Sequence, residues 1–274
     1  MRKFKILSFL IASTIFGTIF VGLIFKAKAA EPWDVHNQHQ GVPAYFYPDW
    51  WNADNDWYRM CDTMNPTVVG SFAIMNPDSG PGTSQNPDYT NVIGYCQSRS
   101  QNIIGYVYTS YGARPLTQVK ADINKYYQWY NVDGIFLDEM SNDPATLSYY
   151  RNLYVYIHNK GGASRSLVVG NPGAAAETGW QLDRPVVDVV NIFEGSPSEY
   201  LSWTPPAWVF NYLTSDFSNL IYDAADISTM QAVSAHSKTV NAGYIYITPD
   251  TLPNPWDLLP PEPYWSAELT AAMQ

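Results

Sequence analysis

The chain has 274 residues, 46% hydrophobic, 15% aromatic and 15% charged. That apolar content excludes a disordered chain, and only two cysteines exclude a disulfide-dense miniprotein. A net charge of −10 argues against nucleic acid as a partner.

The amino terminus reads as a targeting segment. Arg2, Lys3 and Lys5 form a basic patch, an uncharged run follows from Ile6 to Phe25, and Lys26 precedes Ala27-Lys28-Ala29. The pattern predicts a secretory signal cut after Ala29, and so a secreted or extracellular product. The run is longer than the ~7–15 residues of a usual signal core, so a retained anchor is the alternative. A membrane is a partner only in that second case. Residues 1–29 hold five of the 15 basic residues and no acid. The remainder carries 10 basic and 25 acidic residues, a net charge of −15. An acidic exported surface disfavours polyanions and suits a neutral or cationic ligand.

Residues 30–41 are polar and read as a lead-in. Short apolar runs then recur at Val42–Tyr47, Thr67–Ile74, Ile103–Tyr108, Gly134–Leu137, Leu167–Gly170, Val186–Phe193, Trp208–Tyr212 and Gly243–Ile247. Most are apolar on both faces, as buried parallel strands are. Helical patterns lie between them. Leu116, Val119, Ile123, Tyr127 and Tyr130 form a stripe opened by Pro115. Asp143-Pro144 starts a helix that Gly161 stops, with Leu147, Tyr150, Tyr154 and Ile157 as its buried stripe. Ser196-Pro197 repeats the cap-and-proline start, Ser228–Lys238 is a further helix, and Trp265–Met273 closes the chain. The span after the fifth strand is short on helix. Cys61 and Cys96 fall on helices that would be neighbours; a disulfide or two buried thiols are both open.

Eight strands alternating with helices predict an α/β chain with a single (β/α)8 TIM barrel over residues 42–274. A doubly wound open sheet is the rival. It would carry a phosphate-binding glycine loop after the first strand, where this chain reads Tyr47-Pro48-Asp49-Trp50-Trp51.

In such a barrel the active site lies at the carboxyl ends of the strands. The acids expected there are Asp138 and Glu139 after strand four and Glu194 after strand six. Carboxylates that follow buried strands are partly desolvated, which raises their pKa toward the range of acid catalysis. Two or three facing one pocket would serve glycoside hydrolysis, or they could cap helices and form ion pairs. Adjacent strand residues point to opposite faces, so Asp138 and Glu139 share a pocket only if the strand ends between them. Candidate substrate contacts at the same strand ends are Tyr47, Asp49, Trp50, Asn76, Tyr108, Ser110, Tyr111, Arg114, Asn171 and Tyr212. Their aromatic rings suit stacking on sugar faces. His36 and His39 lie in the lead-in, and His158 and His236 stand alone on helices, so no metal and no cofactor is expected.

Four stretches carry a resemblance to the spherulin-4, or spherulation-specific family 4, proteins, a group that includes glycoside hydrolase family 135. They are Val42–Pro48, Asn76–Gly82, Gly105–Gly112 with Arg114, and Val132–Glu139, in family order. The likeness runs from about Val42 to the last strand and is looser past Glu194. It implies an exported (β/α)8 glycosidase. Characterised fungal members cleave galactosaminogalactan, an α-1,4-linked polymer of galactose and N-acetylgalactosamine, as endo-acting enzymes. It also implies that Asp138, Glu139 and Glu194 are the essential acids. By analogy with α-galactosidase-type barrels, Asp138 would be the nucleophile and Glu194 the acid/base, with Glu139 orienting substrate or binding an amino group. In a rival scheme Glu139 is the acid and the substrate's acetamido group the nucleophile. The expected partner is a polysaccharide, and the expected state a monomer. A non-catalytic polysaccharide-binding protein and a glycosidase for another amino-sugar or galactose polymer are the alternatives.

Overall fold

The computed structural model describes residues 37–64 and 70–274. The predicted amino-terminal signal, His36 and the start of the predicted second strand lie outside them. Eight parallel strands close into a barrel in chain order, so the (β/α)8 expectation holds. The strands are β1 His39–Ala44, β2 Phe72–Met75, β3 Asn102–Tyr108, β4 Gly134–Asp138, β5 Leu167–Gly170, β6 Val189–Gly195, β7 Phe217–Ile221 and β8 Tyr244–Ile247. β8 closes on β1 with Tyr244 beside His39 and Ile245 beside Gln40.

The helices are α1 Asp56–Thr63, α2 Pro87–Gln97, α3 Leu116–Tyr130, α4 Leu147–Gly161, α5 Trp180–Asp183, α6 Pro197–Ser202, α7 Ile227–Thr239 and α8 Tyr264–Ala272. Their ends follow local chemistry. α3 starts after Pro115 and stops at Asn131, whose φ of 53° is left-handed. α6 opens with a capping box between Ser196 and Glu199. The helix after β5 has one turn, as its sparse pattern predicted. Cys61 on α1 and Cys96 on α2 form a disulfide. No helix among the described residues is long and apolar enough to cross a membrane.

Strand alternation sorts the core into two shells. Phe72, Ile74, Ile104, Phe136, Val169, Val189 and Tyr244 form the cluster that fills the barrel. Residues of opposite parity, such as Ala73, Ile103, Ile135, Val168 and Val190, pack outward among the helices. The barrel is therefore a packed interior, and only its carboxyl end is left to hold a site.

Three strand expectations need correction. The seventh strand is not Trp208–Tyr212. That segment is a 3-10 turn at Ala207–Asn211 that follows Pro205-Pro206, with Val209 N–H donating to the Pro206 carbonyl at 3.0 Å. The true β7 carries Ser218 and Asn219, polar residues that disguise it. Asn219 is buried, and its amide donates to the Tyr200 hydroxyl at 2.6 Å. The first strand begins inside the polar lead-in, because buried His39 and Gln40 belong to it; the Gln40 N–H donates to Ser71 Oγ at 3.1 Å. It ends at Ala44, before Tyr45–Tyr47. β6 runs later than predicted and includes Glu194.

Candidate active site

The next inward positions above the apolar interior are polar. On β3 that residue is Tyr106, on β4 Asp138, after β5 Asn171 and on β6 Glu194. They line a cavity of about 310 Å³ together with Tyr45, Tyr111, Glu139, Pro172, Gly173, Leu220 and Trp256. All three acids read from the sequence meet there.

Two backbone irregularities bring them together. β4 ends at Asp138, and Glu139 takes a left-handed φ of 50°. The strict alternation stops between them, so adjacent acids line one cavity. The turn is held by the Glu139 carbonyl, which accepts from Tyr111 N–H at 2.7 Å and Thr109 Oγ1 at 2.8 Å. On β6, Asn191 pairs with Ser218 but Phe193 pairs with Asn219, so the register slips by one residue. Val189 and Asn191 would otherwise be followed inward by Phe193 and Gly195. The bulge instead turns Glu194 inward and leaves Phe193 to pack against Tyr200 and Trp203.

One side chain ties the acids. Asn171 Nδ2 donates to Asp138 Oδ1 and to Glu194 Oε2, both at 2.9 Å. Its Oδ1 accepts the Gly173 N–H at 2.9 Å, which fixes the amide the right way round. Two oxygens on the two hydrogens of one amide lie about 5 Å apart. Asp138 Oδ2 accepts from the Tyr106 hydroxyl at 2.6 Å. Tyr106 in turn packs edge-on to Tyr45, with ring centres 5.7 Å apart. Among the described residues nothing hydrogen-bonds the Glu139 carboxylate.

Burial raises both tied acids from their ordinary values. For Asp138 the rise is opposed by hydrogen bonds from the Tyr106 hydroxyl, the Glu139 N–H and Asn171. For Glu194 only Asn171 opposes it, and the Asp138 charge pushes it further up. Of the pair, Asp138 has three donors to its ionised form and Glu194 one. Tyr106 is pushed up by burial and by Asp138, so it stays a proton donor. Among the described residues no group of three or more His, Cys, Asp or Glu is arranged to hold a metal ion. A larger depression of about 710 Å³, between Tyr127 and Arg165, has no acid in its lining.

The family model of spherulation-specific family 4 matches residues 41–272. The chain belongs to that family. Spherulin-4 of Physarum polycephalum is 32% identical over 217 residues, which are 76% of this chain and 62% of spherulin-4. This member of the family thus spans less than two thirds of that relative. Among solved structures, Aspergillus clavatus Sph3, determined in complex with GalNAc, superposes with a TM-score of 0.71 at 23% identity, over 87% of this chain and 99% of Sph3. A GH18 chitinase of Pseudoalteromonas aurantia gives 0.52 at 9% identity, over 76% and 93% of the two chains. A chitinase of Chromobacterium violaceum gives 0.51 at 13%, over 86% and 99%. These are likenesses of fold.

The other predicted contacts divide. Tyr111 and Asn171 line the cavity with the acids. Tyr108 lies beneath the Arg114 guanidinium, 4.0 Å from ring centre to Cζ, and Arg114 is paired with Asp122. Asn76 Oδ1 closes its own loop by accepting Gly80 N–H at 2.9 Å. Ser110, with φ of 48°, shapes the turn before Tyr111. Tyr212 is hydrogen-bonded to Asp183 and sits behind the 3-10 turn, so it leaves the site with the misplaced strand. Tyr47, Asp49 and Trp50 are exposed outside the cavity. Sequence reasoning missed Tyr45, Tyr106, Gly173, Leu220 and Trp256. Alternation could have found Tyr106, which pairs with Phe136 two residues before Asp138. Nothing local marks Trp256, which the loop after β8 brings over the barrel and its carbonyl ties to Tyr45 N–H at 3.1 Å.

Proposed function

We propose that this family member is a glycoside hydrolase that cleaves an α-linked, N-acetylgalactosamine-containing polysaccharide by double displacement. The observation that carries the reading is the pair of half-buried carboxyls whose oxygens one amide sets about 5 Å apart. Retaining glycosidases keep their two carboxyls ~5–5.5 Å apart, whereas inverting ones leave ~6.5–9.5 Å for a water. Family membership and the fold shared with a protein solved with GalNAc support the substrate class.

In this scheme Asp138, the acid with more donors, attacks the anomeric carbon. Glu194, the acid with fewer donors to its ionised form, gives a proton to the departing glycosidic oxygen. The glycosyl–Asp138 ester then forms, and Glu194 takes a proton from water as the water attacks the same carbon. The Asp138–carbon bond breaks and the sugar leaves with its configuration retained. The Glu139 carboxylate, which nothing among the described residues hydrogen-bonds, suits a contact to a hydroxyl or to a free amino group of the sugar.

Export is part of the proposal. The amino-terminal pattern reads as a secretory signal, and a Cys61–Cys96 disulfide suits an oxidising compartment. The deciding experiment is reducing-end release from galactosaminogalactan by the wild type, Asp138→Asn and Glu194→Gln. Both variants should fold and lose about 10³-fold or more in rate. Activity that survives either change overturns the roles assigned here. Binding without release, in the wild type, moves the reading to a polysaccharide-binding protein.

A further inference from the structure

Outside the cavity, the loop after β1 carries three large aromatic side chains in the open. Tyr47 is 51% exposed, Trp50 41% and Trp51 62%. They are not loose. Asp88, in the first turn of α2, accepts the Tyr47 hydroxyl at 2.5 Å on one oxygen and Trp50 Nε1 at 2.7 Å on the other. Asn86 Nδ2 donates to the Tyr47 hydroxyl at 3.2 Å, and the Tyr58 hydroxyl donates to the Trp50 carbonyl at 3.2 Å. Trp51 packs against both neighbours, 6.5 Å from Tyr47 and 6.0 Å from Trp50 between ring centres.

We propose that Tyr47, Trp50 and Trp51 form a distal subsite that stacks on sugar rings of the polysaccharide chain whose cleavage occurs in the cavity. The inference rests on the hydrolase reading above and deepens it, because a subsite beyond the cavity favours long chains and internal cleavage. Three observations carry it. The ledge starts close to the cavity: Tyr45 lines the cavity and Tyr47 follows two residues later, within about 7 Å along the chain. Tyr111, 64% exposed, lines the same cavity, so a chain leaving it meets exposed rings at once.

The second observation is chemical. The polar tips of Tyr47 and Trp50 are already held by Asp88, so they present ring faces, which suit the C–H faces of sugars. The rings stand at 49° and 76° to one another and offer separate faces rather than one flat patch. The third is charge. Asp49 and Asp54 are exposed beside the rings, and the chain carries a net −10. That repels an anionic lipid surface or a second copy of this protein, and it accepts a neutral or amino-bearing glycan.

The test uses Glu194→Gln as the parent, so that binding is read without cleavage. Trp51→Ala and Trp50→Ala are each added to it. The probes are galactosaminogalactan and monomeric N-acetylgalactosamine, followed by calorimetry. Each tryptophan change should weaken polymer binding about fivefold or more and leave the monosaccharide affinity as in the parent. Trp51 makes only ring contacts and is mostly exposed, so its removal spares the fold. Polymer binding equal to the parent in both variants overturns the ledge. So does an equal loss of polymer and monosaccharide binding, which would make the rings supports of the cavity. A parent that binds neither probe, beside a wild type that releases no reducing ends, overturns the hydrolase reading and the ledge with it.

Discussion

Both N–H bonds of Asn171 are taken by carboxylates, one on Asp138 and one on Glu194. None remains for a sugar, so Asn171 is a positioning residue rather than the substrate contact its place after β5 suggested. Its amide lowers both acids against the burial that raises them. Asn171→Ala should therefore do two things. Turnover should fall about tenfold to a hundredfold as the carboxyls lose their spacing. Both limbs of the pH–activity profile should also move to higher pH, because each acid loses a hydrogen bond to its ionised form. A fall in rate with unmoved limbs would assign the residue to folding alone. Glu139 offers the matching case of strain at a site. A left-handed glutamate costs about 1–2 kcal/mol, and the return is a second acid on a face that alternation would deny it.

Elements act here through their irregular ends. The β6 bulge decides which of Phe193 and Glu194 faces the cavity, and the early stop of β4 does the same for Glu139. The junction of β8 with α8 holds a different kind of acid. Glu268 is buried; one oxygen accepts the Ile247 N–H at 2.9 Å, and the other has no partner among the described residues. Burial raises its pKa well above the ordinary value. The folded state thus favours the protonated acid. The resulting loss of stability is absent below the unfolded carboxyl pKa and grows as pH rises toward the folded one. Glu268→Gln removes that titration while it keeps the acceptor for Ile247. Thermal melts should find the variant close to wild type near about pH 4 and more stable near about pH 8. The same gap at both values would contradict a buried, titrating carboxyl.

At the scale of the whole molecule, closure of the barrel is what makes a site. The interior is filled by Phe72, Ile74, Ile104, Phe136, Val169, Val189 and Tyr244, so the cavity with its acids opens at the carboxyl end. The acids of that end belong to a chain at net −10, or −15 without residues 1–29. A field of that sign attracts a cationic polymer and is screened over about 8–10 Å at physiological salt. Affinity for partly deacetylated galactosaminogalactan should fall as salt is raised, and affinity for the fully acetylated polymer should not. Titrations at low and high salt on the Glu194→Gln protein check this. Equal salt dependence for both polymers would remove charge from the account of recognition.

Read by itself, the sequence determined the barrel and its acids. Seven of the eight apolar runs, the helix starts at Pro115, Asp143 and Ser196, and acids directly after Leu137 and Phe193 are local patterns, and local patterns survive without the fold. It failed where a strand hides its polarity inside. Ser218 and Asn219 on β7, like His39 and Gln40 on β1, look solvent-exposed until their buried partners are known, while Trp208–Tyr212 looks like a strand until two prolines turn it. Only the tertiary structure decided that Asp138 and Glu139 share a cavity and that Glu194 faces inward. It alone joined Asn171 to two acids and brought Trp256 over Tyr45. Those outcomes depend on a register slip, a left-handed residue and contacts between distant strands, and none of these leaves a periodic trace along the chain.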